Sequence, residues 1–156
     1  TLGAPILRKW QYADQFGVAP GTSDYATAAG GSGDEMHIII VDEDGQFSSG
    51  VANTVLEKFA FVSKASDAKT DDGSSNYYVN VLNERSKYVC VMNHAANNTG
   101  WGLTAHGTEF AQADAYATVS LHTVLMVHQL MVISPRHMID SSILMMLMYN
   151  IHQYFY

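Results

Sequence analysis

The stretch MHIIIV at residues 36–41, followed by DEDG at residues 42–45, is the strongest structural signal in the sequence. A short, continuous run of mostly β-branched apolar residues predicts a strand that is buried on both faces. Aspartate side chains bond their own backbone and glycine accepts positive φ, so the residues that follow predict a turn. We therefore expect a central strand that ends in a turn, with residues 47–51 as a candidate returning strand.

The segments that follow carry alternating helix and strand signals. Residues 53–65, NTVLEKFAFVSKA, fit both a helical and an alternating period, and we interpret them as a helical or mixed segment. Residues 69–76, KTDDGSSN, form a turn cluster whose Ser and Asn residues can cap a helix, and residues 77–82 give that helix an apolar stripe. Residues 88–92, YVCVM, predict a second buried strand. This order predicts an α/β sheet with helices on its faces.

Composition divides the chain into three regions. Residues 1–35 are a connecting segment that ends in a Gly/Ser-rich loop without a hydrophobic period. Residues 36–121 are the α/β region. All 12 glycines and all but one of the 15 acidic residues lie before residue 122, whereas residues 122–156 hold only Arg136 and Asp140 as charged residues. We therefore treat residues 122–156 as a separate tail.

Length, charge and cysteine content limit the classes of partner. A chain of 156 residues fits one domain. Its formal net charge of -7 repels phosphate backbones and anionic headgroups, so we expect neither nucleic acid nor a membrane as a direct partner. The single cysteine, Cys90, allows no disulfide within one chain. The first residues, TLGAP, lack an initiator methionine and a signal-peptide pattern, so we expect the chain to begin inside a longer protein.

Asp42, His106 and Ser23 are the candidate residues of the main enzymatic alternative, a subtilisin-like serine hydrolase. Asp42 ends the buried strand, His106 precedes a glycine, and Ser23 ends the tripeptide Gly-Thr-Ser. Subtilisins present Asp, His and Ser in that order along the chain, whereas here the serine comes first and lies in a glycine-rich loop. We therefore predict that the chain is not an enzyme and has no catalytic residues.

The acidic turn and the histidines are the candidate metal ligands. With Gly45 at the sixth position of a calcium loop, the first and twelfth positions fall on Ile40 and Val51, whose side chains cannot bind calcium. His94 and His106 lack a second pair of ligands, His128 and His137 lie in the tail, and zinc needs three or four ligands that converge. We predict neither a metal site nor a cofactor.

Two further motifs have structural interpretations. Asn97-Asn98-Thr99 fits a glycosylation acceptor, but no secretory signal accompanies it, so we interpret it as an exposed loop. Trp10 and Trp101 have no basic groove beside them in the sequence, so we expect core or subunit contacts and not base stacking.

Four stretches within residues 10–121 follow one another in an order that resembles a known family. They are FGVAPGTSDYAT, MHIIIVDEDG, NTVLEKFAFVSKASDAKTDDGSSNYYVNVLNERSKYV and GTEFAQADAYATVSL. Together they are similar to the central part of the tail sheath protein of contractile-tailed (myovirus-type) bacteriophages. No single stretch is diagnostic, and the resemblance rests on their continuous order.

This resemblance implies a fold, a function and partners. It implies that residues 36–121 belong to a subtilisin-like α/β region, a partial sheet flanked by helices with long Gly/Ser/Asp-rich loops. The implied function is that of a structural subunit that polymerises as stacked hexameric rings around a tail tube and contracts to drive genome delivery. The implied partners are other sheath subunits and the tube, in a virion assembled in the host bacterial cytoplasm. The family's C-terminal polymerising region has no counterpart here, which implies that this chain alone is assembly-incompetent.

The tail departs from the family's continuation, which is a Gly- and Asp-rich loop followed by a helix. If the reading frame starts one base earlier, the last base of a Met codon (ATG) joins the first two bases of a following Val codon (GT) and forms GGT, a glycine codon. One translation from His122 that the genetic code permits in this frame is SYGADGAPTDGDI, which is rich in Gly and Asp. We therefore interpret residues from about His122 as out of frame, through a genuine frameshift or a sequencing error. The competing interpretations are a membrane segment and a Met-rich amphipathic helix. Against a membrane segment, His128, Gln129, the break at residues 134–137 and the polar residues 140–142 divide the tail into pieces shorter than the about 20 residues that a spanning helix needs.

Overall fold

The computed structural model of the protein describes residues 10–91, 99–111, 117–121, 131–133 and 143–149. Within these residues the chain has a small mixed α/β fold with short helices. In chain order the elements are a 3₁₀ turn at Ala13–Gln15, α1 (Asp24–Ala28), β1 (Glu35–Asp42), β2 (Thr54–Ser63), α2 (Tyr78–Arg85), β3 (Val89–Val91), β4 (Ala117–Leu121), β5 (Met131–Ile133) and β6 (Ile143–Tyr149).

β1 lies inside a four-stranded sheet with the order β2-β1-β6-β4, while β3 and β5 form a separate two-stranded sheet. Every one of these strand pairs is antiparallel. The central strand predicted from residues 36–41 is therefore confirmed, as is the coarse α/β class. The subtilisin-like arrangement remains a prediction.

The two faces of β1 pack against different parts of the chain. Its even-numbered residues from 36 to 40 join a core that contains α2 and Trp101. Residues 39 and 41 join a second core with Trp10 and its neighbours. Successive strand residues point to opposite faces, so the two cores cover both faces of β1, and the strand is buried from Met36 to Asp42. Each fully buried isoleucine contributes about 1.5–3 kcal/mol to this packing. Burial of both faces is confirmed, and both tryptophans are core residues.

The helical or mixed interpretation of residues 53–65 was wrong. Residues Thr54–Ser63 form β2, which pairs with β1 along its length and lies at the edge of the sheet. The residues from 54 to 61 are half-buried or exposed, as an edge strand requires. The periodicity of this segment fits both a helix and a strand, and pairing with the strongly β-forming strand β1 selects the strand.

Two shorter segments also differ from expectation. Residues 47–51 form turns and not a returning strand, and the return to the sheet begins at Thr54. The Gly/Ser-rich loop contains the five-residue helix α1, for which Ser23 is the N-cap: its side chain accepts a hydrogen bond from the Ala26 amide. An N-cap of this type satisfies a backbone donor that the first helical turn leaves unpaired.

α2 and β3 confirm the second half of the predicted order. The apolar stripe buries Tyr78, Val81 and Leu82 on one side of α2. The helix does not use the predicted Ser or Asn cap, because its N-cap residue is Tyr77, whose side chain makes no capping bond. β3 then follows at Val89–Val91, within the predicted strand.

Three strands lie at or beyond residue 117. β4 and β6 pair with each other, and β6 also pairs with β1. β5 pairs with β3. Both β5 and β6 belong to the tail, whose origin in another reading frame stays a prediction.

Candidate functional site

Ser23, Asp34, Ser63 and Lys64 come together at the end of β2, and we call these four residues the polar cluster. The Asp34 side chain is fully buried. Its Oδ1 accepts a hydrogen bond from the Ser23 amide at 2.8 Å, and its Oδ2 accepts from the hydroxyls of Ser23 at 2.8 Å and Ser63 at 2.5 Å. A buried carboxylate without such partners is costly. The polar cluster therefore fixes the loop before β1 against the end of β2.

The two serine hydroxyls of the cluster each make two hydrogen bonds. The Ser23 hydroxyl donates to Asp34 and accepts from the Ala26 amide at 3.1 Å. The Ser63 hydroxyl donates to Asp34 and accepts from the Ala65 amide at 3.1 Å. Both hydroxyls donate to a carboxylate, and neither bonds an imidazole of the described residues that could act as a general base. This arrangement supports the fold and does not activate a nucleophile.

Lys64 is a fully buried amine beside this carboxylate. Its Nζ donates to the carbonyl oxygens of Gly33 at 2.8 Å and Ala111 at 3.4 Å, and lies 5.6 Å from the centroid of the Trp101 ring. Burial lowers the pKa of Lys64 to about 8, while the charge of Asp34 acts in the opposite direction. The amine thus ties the loop before β1 to the segment at residues 99–111.

The 99–111 segment covers the cluster through backbone hydrogen bonds. Ser32 makes two backbone hydrogen bonds with this segment. Its amide donates to the Thr108 carbonyl, and its carbonyl accepts from the Phe110 amide, each at 3.0 Å. The Gly102 amide donates to the Lys64 carbonyl at 3.0 Å. The polar cluster is therefore enclosed by two loops and one strand end, and its carboxylate and amine are inaccessible to a substrate.

Gly31 marks the closest approach of the two loops. A Cβ atom at this position would overlap the carbonyl oxygen of Ala105 and would touch that of Thr108 at 3.0 Å. Only glycine allows the backbones to approach so closely. The glycine-rich composition of this loop thus has a packing reason at Gly31.

The candidate hydrolase residues are not brought together. The Ser23 hydroxyl bonds Asp34, and the Asp42 carboxylate bonds its own turn. His106 is exposed, and no hydrogen bond joins it to Ser23 or Asp42. A triad requires a hydrogen-bonded chain from nucleophile to base to carboxylate. These three residues do not form one in the structure.

Asp42 is a turn-capping residue. Its Oδ1 accepts from the amides of Gly45 and Gln46 at 3.0 Å, and its Oδ2 accepts from the Phe47 amide at 2.8 Å and the Ser48 hydroxyl at 2.7 Å. Burial acts to raise the pKa of Asp42, but these hydrogen bonds outweigh it and the pKa is lowered. The predicted turn is confirmed. The side chain, however, is fully buried and not solvated.

The other candidate ligands give no site in the part of the chain that the structure describes. Among those residues, no three His, Cys, Asp or Glu side chains converge as a metal site would require. His94, His128, His137 and the Asn97-Asn98 pair lie outside the described residues. Within the same residues no helix has the length and apolarity needed to cross a membrane.

Comparisons with protein-family models, with curated proteins and with solved structures found no match to this chain. The sheath resemblance therefore rests on the sequence stretches quoted above.

Sequence reasoning missed the polar cluster. Asp34 and Lys64 each adjoin an end of a strand, at positions where polar residues usually reach solvent. One local signal was present: Ser23 directly precedes a short helix-compatible run, as N-cap residues do. The convergence of Asp34 with Ser63 and Lys64 depends on the pairing of β1 with β2, which the interpretation of residues 53–65 did not include.

Proposed function

We propose that this chain is the central part of a contractile phage tail sheath subunit, a structural assembly protein and not an enzyme. The observation that carries the proposal is the continuous likeness of residues 10–121 to the sheath family. The buried polar cluster supports a structural role, because its chemical groups stabilise two loops and are enclosed by them.

In this proposal the described fold is one rigid piece of a repeating subunit with a subtilisin-like arrangement in the complete protein. Other sheath subunits and the tail tube are its partners, in stacked hexameric rings of the virion. Contraction then switches the rings between two packings, which requires subunits that keep their internal structure while their contacts change. Loops held by a buried carboxylate and a buried amine meet that requirement.

The subtilisin-like hydrolase is the competing proposal, and no feature of the described residues favours it. It predicts that the purified chain cleaves a peptide substrate and that Ser23→Ala abolishes the cleavage. The sheath proposal predicts no cleavage by either protein. Serine-dependent turnover would reject the structural role.

The decisive experiment for the sheath proposal is assembly of the chain with its reading frame restored. The complete gene, including the codons upstream of Thr1, is expressed with the minus-one frame used after codon 121, next to the original gene, and both products are viewed by negative-stain electron microscopy. We expect hollow cylinders of stacked six-fold rings from the restored gene alone. A stop codon soon after codon 121 in that frame, or a restored product that never forms rings or tubes, would contradict the proposal.

A further inference from the structure

His37 occupies an unusual position in the central strand. Its side chain is fully buried, although β1 is otherwise apolar between Met36 and Val41. The ring stacks on Phe16 with centroids 4.2 Å apart and an interplanar angle of 9°, and it meets the edge of Phe61 at 4.5 Å and 84°. His37 therefore joins the segment before α1 to the edge strand β2.

Two hydrogen bonds fix the protonation state of this ring. Nε2 lies 2.8 Å from the carbonyl oxygen of Val18, which can only accept, so Nε2 carries a proton. Nδ1 lies 3.1 Å from the amide nitrogen of Phe61, which can only donate, so Nδ1 carries a lone pair. The contacts thus select the neutral ring with its proton on Nε2.

The bond to Phe61 stabilises an irregularity in the sheet. The register shifts between Met36, which pairs with Val62, and Ile38, which pairs with Phe59, so that two residues of β2 lie opposite His37. Phe61 is one of these two and has a φ of 54°, in the left-handed region that side chains other than glycine rarely adopt. A bulge leaves one amide without its ladder partner, and the imidazole supplies the missing acceptor.

Protonation removes this acceptor. An imidazolium carries N–H groups at both positions, so Nδ1–H would face the Phe61 N–H, donor against donor. Burial also disfavours the charged ring and lowers the pKa of His37, which the bonded backbone carbonyls only partly offset. The neutral ring is thus the form that the closed bulge requires.

No charged side chain among the described residues forms a hydrogen bond with this ring. Its hydrogen bonds go to Val18 and Phe61, and Lys58 on β2 extends instead to the Gln15 carbonyl at 3.1 Å. The titratable residues of the surrounding elements are Glu35 and Asp42 on β1, Glu57 and Lys58 on β2, Tyr12 and Asp14 in the segment before α1, and Tyr149 on β6.

We propose that His37 is a pH-sensitive contact, whose protonation below neutral pH releases the Phe61 amide and opens the bulge between β1 and β2. Opening separates Phe61 from the segment that carries Phe16 and Val18. Both Phe61 and Val18 are already partly exposed, at 36% and 69%, so the freed region adjoins an apolar surface. This inference is independent of the sheath proposal.

The size of the effect follows from proton linkage. In the open state His37 has an ordinary pKa of about 6.5, whereas burial lowers its pKa in the closed state, so acid favours opening. Between pH 7.5 and pH 5.5, the population of the open state should increase, and the open-state pKa sets an upper limit of about tenfold. The lower pH stays just above the sequence pI of about 5.3.

The test measures hydrogen exchange of backbone amides by NMR on the full chain, expressed as protection factors that correct for intrinsic exchange. We expect the protection of the Phe61 amide to fall from pH 7.5 to pH 5.5 by up to about tenfold, while that of Ile39 in the same strand pair changes much less. His37→Gln, whose amide can accept from Phe61 and donate to Val18 without titrating, should remove the pH dependence. His106→Gln, at an exposed histidine, should leave it unchanged.

Equal Phe61 protection at both pH values in the wild-type chain would overturn the proposal, even if a variant fails to fold. The proposal would also be overturned if the His37 ring signals titrate near pH 6.5 while the protection of the Phe61 amide stays constant. A pH dependence that persists in a folded His37→Gln chain would assign the effect to another group and would also overturn it.

Discussion

Asp34→Ala is the most direct test of the polar cluster. The substitution removes the acceptor of three donors, which are the Ser23 amide and the hydroxyls of Ser23 and Ser63. Each buried donor left unpaired costs about 1–3 kcal/mol. The two hydroxyls can rotate, so the lower part of this range applies, and three such donors give a loss of about 3–5 kcal/mol. This is a large share of the about 5–15 kcal/mol by which domains are stable.

The assay is urea unfolding at pH 7 followed by tryptophan fluorescence, because Trp10 and Trp101 are both buried in the native state. Asp71→Ala is the matched control: Asp71 is exposed in a turn, and its replacement should change the free energy of unfolding by less than about 0.5 kcal/mol. Asp34→Asn keeps one acceptor oxygen and should lose about 1–2 kcal/mol.

A double-mutant cycle separates the cluster from general damage. Because the Ser23 hydroxyl donates to Asp34 and also caps α1, Ser23→Ala should cost less in the Asp34→Ala background, where only the cap remains to be lost, than in the wild-type chain. Loss of less than about 1 kcal/mol in Asp34→Ala with an unchanged m-value, or additive effects of the two substitutions, would refute the view that this carboxylate holds the loop against β2.

Three further predictions concern single positions. Burial lowers the pKa of Lys64 to about 8, so between pH 8 and 9.5 the unfolded chain binds more protons than the native chain. The free energy of unfolding, measured in urea, should therefore rise by about 1–2 kcal/mol across this pH range. Lys64→Met should abolish the rise. Gly31→Ala forces a Cβ against a backbone carbonyl and should lower the free energy of unfolding by about 1–3 kcal/mol, whereas Gly17→Ala, with open space around it, should not. Asp42→Ala leaves three turn amides without their acceptor and should lower the thermal midpoint by at least about 8 °C, against little change for the exposed Asp44→Ala.

The parts of the fold that were predictable are those in which one element determines its own structure. The run at residues 36–41 is apolar at nearly every position, which only a strand buried on both faces accommodates, and β1 has that environment. The stripe in residues 77–82 has a helical period, and α2 buries it. In both cases burial and periodicity agree.

β2 was misinterpreted because its periodicity is broken within the strand. The bulge opposite His37 places two successive residues, Ala60 and Phe61, at exposed positions, so the inside-outside alternation shifts by one residue. Val55, Phe59 and Val62 then fall at spacings that also fit a helix. The bulge depends on His37 of β1, which bonds the Phe61 amide, so the residues of β2 alone do not distinguish a strand from a helix.

The candidate site was less predictable for a related reason. Asp34, Ser63 and Lys64 meet only after two loops fold over the end of β2, and loop closure leaves no periodic signal. A motif such as Gly-Thr-Ser therefore suggested a nucleophile where the structure has a helix cap. A serine in a loop motif therefore indicates a nucleophile only when the general base that would activate it can also be identified.

The pairing of β6 with β1 bears on the interpretation of the tail. Ladder hydrogen bonds involve backbone groups alone, so the edge of β1 can pair with any extended segment whose side chains suit an apolar environment. The sequence ILMMLMY of β6 lacks the polar alternation of a half-exposed strand, but β1 is apolar on both faces and selects against polar neighbours more than for any particular one. A run of apolar residues produced by an out-of-frame reading can meet these conditions by chance. Strand pairing at residues 143–149 and an out-of-frame origin are therefore compatible, and translation of the minus-one frame after codon 121 distinguishes that origin from an in-frame tail.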